Sequence, residues 1–224
     1  LNCSFNQFVE LPMSPRRYDM TRKRASVAAT RRRIVEATLK LHGEKGIFGT
    51  SWADIAREAD VAVGTVYRNF PSLDELVPAC GQLLMERIKP PDPSDIHSII
   101  GDATDPTVRL TRVAECIFAF YERGGKHLES DIRERELPAM KEWEDYMRSM
   151  VAGFVAEALK DLPLAGEDVQ RLSFLLDQPT YAAMRARGLS TGDAVETVVD
   201  VFTRALGLEL DRAKTEAGPF VPEA

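Results

Sequence analysis

Long hydrophobic runs are missing from this sequence: no stretch of about 18 apolar residues occurs, so a helical membrane span is excluded. The N-terminal residues also lack a basic segment leading into an apolar one with a small-residue cleavage site, and a cytoplasmic protein with no membrane partner is expected. Cysteine is scarce. Cys3, Cys80 and Cys116 are odd in number, far apart and outside any zinc-type spacing, which suits free thiols in a reducing compartment. Three histidines leave little general-base material. No Ser-His-Asp context, phosphate-cradling glycine loop, paired-cysteine site or dinucleotide fingerprint occurs, so neither an enzyme nor a metal or cofactor is expected. Strand-like alternation and Asn-Gly hairpin signals are absent as well, and the chain reads as all-α.

What is present is 224 residues, 44% hydrophobic and 29% charged, enough for one large core or two modest ones. The net charge of -6 is unevenly spread. Residues 1–90 carry 14 Lys and Arg against 10 Asp and Glu, a balance of +4; the remainder carries 15 against 25, a balance of -10. Arg16, Arg17, Arg22, Lys23, Arg24, Arg31, Arg32 and Arg33 crowd into fewer than twenty residues. Such density suits either a polyanion-facing arm or a disordered solubilising tail.

Residues 1–24 lack a sustained period and read as a flexible basic extension; Leu1 is not an ordinary initiator, and Met13 and Met20 are alternative starts. From Thr30, the residues Ile34, Thr38 and Leu41 recur at helical spacing until Gly43 and Gly46 stop the helix. A second, shorter helix follows, opened by a Ser51-x-x-Asp54 capping box and carrying Ile55, Ala56 and Ala59 as its apolar stripe. After a tight turn at Asp60 and Val61, Val66 and Phe70 start the apolar face of a third. The three make a head over residues 25–72. A connecting helix at 73–89 ends at the hinge "KPPDP", and residues 90–224 read as a larger helical domain with helices near 105–123, 126–136, 138–160, 167–187 and 192–210. Pro179 should kink or split the penultimate one.

Two short helices joined by a tight turn, the second amphipathic, form a helix-turn-helix unit whose second helix can enter the major groove. Ala62, Val63 and Gly64 are small enough to approach base edges, while Thr65, Tyr67, Arg68 and Asn69 supply donors for phosphates and bases. An ordinary solvated surface helix would also carry Thr, Arg and Asn.

The stretch "TSWADIAREADVAVGTVYRNFPSLDEL" resembles the N-terminal motif of the TetR family of bacterial transcriptional repressors, with Asp54, Ile55, Ala56, Ala59, Val61, Gly64, Thr65, Tyr67 and Phe70 in step over residues 30 to about 77. The resemblance implies an all-helical homodimer that reads a palindromic operator on double-stranded DNA. Its C-terminal domain would hold a small-molecule inducer and the dimer interface. Thr50, Ser51 and Tyr67 would then hold phosphates, Val63, Gly64, Thr65 and Arg68 would lie near base edges, and Arg22, Lys23 and Arg24 would reach a neighbouring groove. Trp52 could meet the sugar-phosphate backbone or cover the bundle.

Four residues depart from the family pattern. Asp60 replaces a turn glycine, which Asp tolerates in the left-handed region. Ala62 replaces a serine cap at a cost of about 1 kcal/mol. Leu73 replaces a phosphate-contacting lysine, and His42 replaces an aromatic, where a satisfied core histidine is expected.

The family's last two helices pair across a two-fold axis. That assigns Leu172, Leu176, Val195, Val198, Val199, Phe202 and Leu206 to the dimer interface, although part of this stripe must also serve the protomer's own core. Candidate pocket residues are Phe118, Tyr121, His127, Trp143, Met147, Met150, Phe154 and Phe174, with Phe120 and Tyr146 beside them. They suit an apolar or aromatic inducer with one or two polar handles. The expected function is a repressor released from its operator by such a ligand. The alternatives are an activator, and a helical interaction module docking an acidic protein.

Overall fold

The computed structural model describes residues 20–208, and every regular element among them is helical. Helix α1 (Met20–Lys45) turns Ile34, Val35, Ala37, Leu39 and Leu41 into the core. It begins ten residues ahead of the apolar period, because Arg, Lys and Ala sustain a helix by propensity even where no face is buried. The backbone of Arg22, Lys23 and Arg24 therefore lies in the first two turns of α1 and not in a flexible extension; residues 1–19 of that expected extension fall outside the described residues.

Helix α2 (Trp52–Glu58) opens on the expected box. Ser51 Oγ accepts the Asp54 amide at 3.1 Å, and Asp54 Oδ2 accepts the Ser51 amide at 3.4 Å. Asp60 takes up the left-handed turn with φ 51°, and α3 (Val63–Asn69) follows without a side-chain cap at Ala62. Val66 and Phe70 are fully buried and clasp α3 to the head.

Helix α4 (Leu73–Ile88) joins the head to the larger domain. The hinge leads into a helical turn and a helix the sequence hid, α5 (Ile96–Ile100), one turn too short to show a period though Ile96, Ile99 and Ile100 are buried. Helix α6 (Pro106–Gly124) is buried on several sides and forms the axis of the domain, packed by α5, α7 (Pro138–Ala158) and α10 (Thr191–Ala205).

The helix expected at 126–136 does not form. Gly125, at φ 49°, ends α6, and two short turns at Gly125–Leu128 and Glu134–Glu136 remain. Between them Asp131 and Glu134 each accept the other's amide, at 2.8 and 3.1 Å, a local alternative to the helical ladder. The helix expected at 167–187 is split into α8 (Gly166–Ser173) and α9 (Gln178–Ala186), with Pro179 in the first turn of α9, where no amide is needed.

The dimer stripe is also corrected. Leu176, Val195, Val198, Val199 and Phe202 are buried within the protomer, because α6 needs an apolar cover on the side that α10 supplies. Leu172 and Leu206 are half-buried against the same core. The outward face of α10 carries Glu196, Thr197, Val201, Arg204 and Ala205. No described helix is long and apolar enough to cross a membrane.

Candidate nucleic-acid interface and cavity

On α3, Val63 and Tyr67 are 40% and 47% exposed, with Gly64 and Arg68 open between and beside them. Thr65 and Asn69 are half-buried. A methyl group at Gly64 would meet nothing within 4 Å, so the fold itself makes no demand for glycine there. Tyr67 stacks on Trp52 with ring centroids 4.8 Å apart at 30°, which fixes the tyrosine on the outer surface and places Trp52 across the α2–α3 junction.

Asn69 donates from Nδ2 to Thr65 O at 2.8 Å, leaving its side-chain oxygen as the outward-capable group. Arg31 holds the end of α3: its Nη1 donates to Asn69 O at 2.6 Å, and its guanidinium lies 3.9 Å from the centroid of the Phe70 ring. One arginine of the basic cluster is thus committed to the head.

The hydroxyls of Thr50 and Ser51 also donate inward, to Gly46 O and Asp54 Oδ2, both at 2.8 Å. The Ser51 hydroxyl and then Arg57 hold the Asp54 carboxyl down to about 2. Arg68 makes no ion pair among the described residues, and Lys23 and Arg24 are exposed on α1. Arg22 contributes its backbone to α1; its side chain is outside the described residues.

Above the head lies a cavity of about 530 Å³, bounded by α1, α4, α6, α7, the 125–137 segment and the start of α9. Of the expected pocket residues, Tyr121, His127, Trp143 and Met147 line it, together with Phe120 and Tyr146. Phe118, Met150 and Phe154 do not; they are buried in the core around α6 and α7. Phe174 is 55% exposed and also outside the lining, because the turn at Phe174–Leu176 rotates it off the α8 face.

His42 departs from the expected satisfied core histidine. It lines the cavity with Nε2 buried and unpartnered, and burial, aided by His127, pushes its pKa from 6.5 down to about 4.

The 125–137 segment, expected as a plain helix, is a strap that touches both the cavity and the head. His127 Nε2 donates to Leu39 O in α1 at 3.1 Å, and Glu134 Oε1 accepts the Ile47 amide in the α1–α2 turn at 2.5 Å. Glu134 is 6% exposed. Arg133 lies over the Phe48 ring at 4.6 Å. Two glycines read as helix stops admit this approach: a methyl at Gly43 would sit 2.5 Å from His127 Nε2, and one at Gly46, φ 75°, would sit 2.7 Å from Glu134 Oε1. In the sequence the pair reads only as helix stops, although Gly43 lies within α1. Leu39, His42 and Asp177 are cavity residues that the sequence analysis did not select.

Residues 34–80 match the sequence profile of the bacterial regulatory proteins of the tetR family. A stretch of 58 residues is 43% identical to the HTH-type transcriptional repressor KstR of Rhodococcus jostii. That alignment covers 26% of this chain and 27% of the repressor, so it spans about a quarter of the curated relative.

Over longer lengths the chain is similar to solved structures. The multidrug binding protein EbrR complexed with imidazole has a TM-score of 0.56 at 23% identity, covering 81% of this chain and 97% of the other. A transcriptional regulator from Rhodococcus sp. Rha1 has 0.55 at 16%, covering 79% and 95%. The regulator FadR from Bacillus subtilis in complex with stearoyl-CoA has 0.53 at 15%, covering 76% and 96%. At these identities the likeness is one of fold.

Proposed function

We propose, on the match of residues 34–80 to the bacterial regulatory proteins of the tetR family, that the chain is a dimeric, ligand-released repressor of transcription. The observation that carries this reading is the outer face of α3. Gly64, which the fold does not require, stands between exposed Val63 and Tyr67 beside an unpaired Arg68. Small side chains allow close approach to base edges, Arg68 offers a bidentate donor for guanine, and the stacked Tyr67 offers a hydroxyl to a phosphate. Thr50 and Ser51 would meet phosphates only after turning their hydroxyls outward. Lys23 and Arg24, exposed near the start of α1, together with the charge of Arg22, add non-specific, salt-dependent attraction.

The cavity supports the regulatory half of the proposal, since Leu39, His42 and Ile47 of the head share its wall with the strap. A ligand that fits the cavity better when the strap is displaced would pull on Leu39 and Ile47 through His127 and Glu134. Only such differential affinity shifts the head. In a dimer the two α3 helices must stand about 34–36 Å apart to meet successive major grooves, so a small tilt of each head weakens binding. The outward faces of α10 and α9, with Thr197, Val201, Ala205, Ala183 and Ala186 exposed, are the surfaces for pairing.

Arg68→Ala and Tyr67→Ala should each abolish retention of a selected operator fragment in gel-shift titrations while sedimentation still shows the dimer. Normal binding by both would remove α3 as the recognition helix. Glu134→Ala should leave operator binding intact but blunt ligand-driven release, and it should lower stability by about 1–3 kcal/mol because the buried Ile47 amide loses its acceptor. Full release in this variant would exclude the strap as the coupling element.

A further inference from the structure

We infer that the cavity takes an organic cation with an apolar body, its charge set against the Asp177 carboxylate and the Tyr121 hydroxyl. The inference rests on the ligand-released reading above and deepens it by naming the ligand's chemistry.

Asp177 occupies the N-cap position of α9 with the extended backbone that a capping aspartate adopts, φ -70° and ψ 150°, yet its side chain makes no capping bond. Pro179 offers no amide. The carboxylate makes no other hydrogen bond and no ion pair among the described residues. It stands half-buried in the cavity wall, where burial pushes its pKa up despite Arg148 nearby. A carboxylate removed from water without a partner is costly, and a cation entering the cavity removes that cost.

The rest of the lining gives the same sign. Five carboxylates, Glu129, Glu134, Glu142, Glu144 and Asp177, face three permanent cations, Lys126, Arg135 and Arg148. The two arginines are already engaged: Arg135 Nε lies 3.5 Å from Glu144, and Arg148 pairs with Asp145. Glu134 is committed to two backbone amides. His42, with its pKa near 4, adds no charge at neutral pH. What remains uncompensated is negative, with Asp177 the half-buried member.

The walls suit the other part of such a ligand. Phe120, Tyr121, Trp143 and Tyr146 present aromatic surface, with the Trp143 and Tyr146 rings 5.8 Å apart, and aromatic faces attract cations. Burial and Asp177 push the Tyr121 hydroxyl up, so it stays neutral and free to hydrogen-bond beside the carboxylate. An anionic ligand would find only Lys126 unpaired among the lining's lysine and arginine side chains.

The test is calorimetric titration of the full-length protein with three probes of one size: naphthylmethylammonium, naphthylmethanol and naphthoate. The ammonium should bind about tenfold tighter than either relative, and Asp177→Asn should remove about that factor for the ammonium alone. The amide is isosteric, replaces a group that makes no hydrogen bond and removes a half-buried charge, so this variant should melt at or above the parent's temperature, and a loss of ammonium binding in it is not a loss of fold. Tyr121→Phe should cost the ammonium a smaller, few-fold factor. Naphthoate binding tightest, an unchanged ammonium affinity in Asp177→Asn, or no binding by any probe would overturn the inference. If the ammonium binds through Asp177 without changing operator retention, the inference stands and the ligand-release reading fails. Release by naphthoate alone does the reverse.

Discussion

His42 shows how one side chain ties stability to the cavity. Its pKa is depressed from 6.5 to about 4, so the unfolded chain takes up a proton before the fold does. Stability from this residue is complete above pH 6.5 and falls as pH drops toward 4, by about 2 kcal/mol at pH 5. His42→Phe should flatten that dependence, seen as a smaller change in urea midpoint between pH 7 and pH 5. An unchanged difference would mean that His42 is not held neutral. Residues whose role depends on near neighbours in the chain were legible: Ser51 and Asp54 cap α2, and Asp60 takes the left-handed turn. His42 and Asp177 were not, because their environment is built by the strap and α7, far away in sequence.

At the scale of elements, α3 starts without a side-chain cap. Ala62 has the extended backbone of a cap, φ -69° and ψ 146°, but no side-chain acceptor. Ala62→Ser should therefore add about 1 kcal/mol to unfolding free energy, read by denaturant titration; no gain would show that a serine there does not bond the first-turn amides. The helices with long apolar stripes were legible from periodicity, and so was the break at Pro179. The strap was not. Its polar residues carry a helix-like pattern, and only the contacts of Glu134 with Ile47 and of His127 with Leu39 make it a bridge. The basic first turn of α1 was missed for the opposite reason: an exposed helix held by propensity leaves no apolar period.

Over the whole molecule, the stripe on α10 illustrates why apolar spacing identifies a buried face without naming what buries it. Val198 packs within the protomer, whereas Val201 is 41% exposed on the outward side. Val198→Arg should unfold the chain, while Val201→Arg should yield folded monomers in sedimentation and lose operator binding. A folded dimer with Val201→Arg would move the two-fold contact elsewhere. The charge asymmetry also operates at this scale: residues 1–90 carry +4 and the remainder -10, so a polyanion bound as proposed would be drawn to the N-terminal side and repelled by the rest.

The central claim is sequence-specific recognition by a pair of α3 helices, and selection of bound sequences from a random duplex pool across a salt series tests it most directly. A two-fold symmetric site, recovered with an affinity that falls steeply as salt rises, is the predicted result. Recovery of no common sequence, even at low salt, would contradict the account and assign the exposed face of α3 to a protein partner.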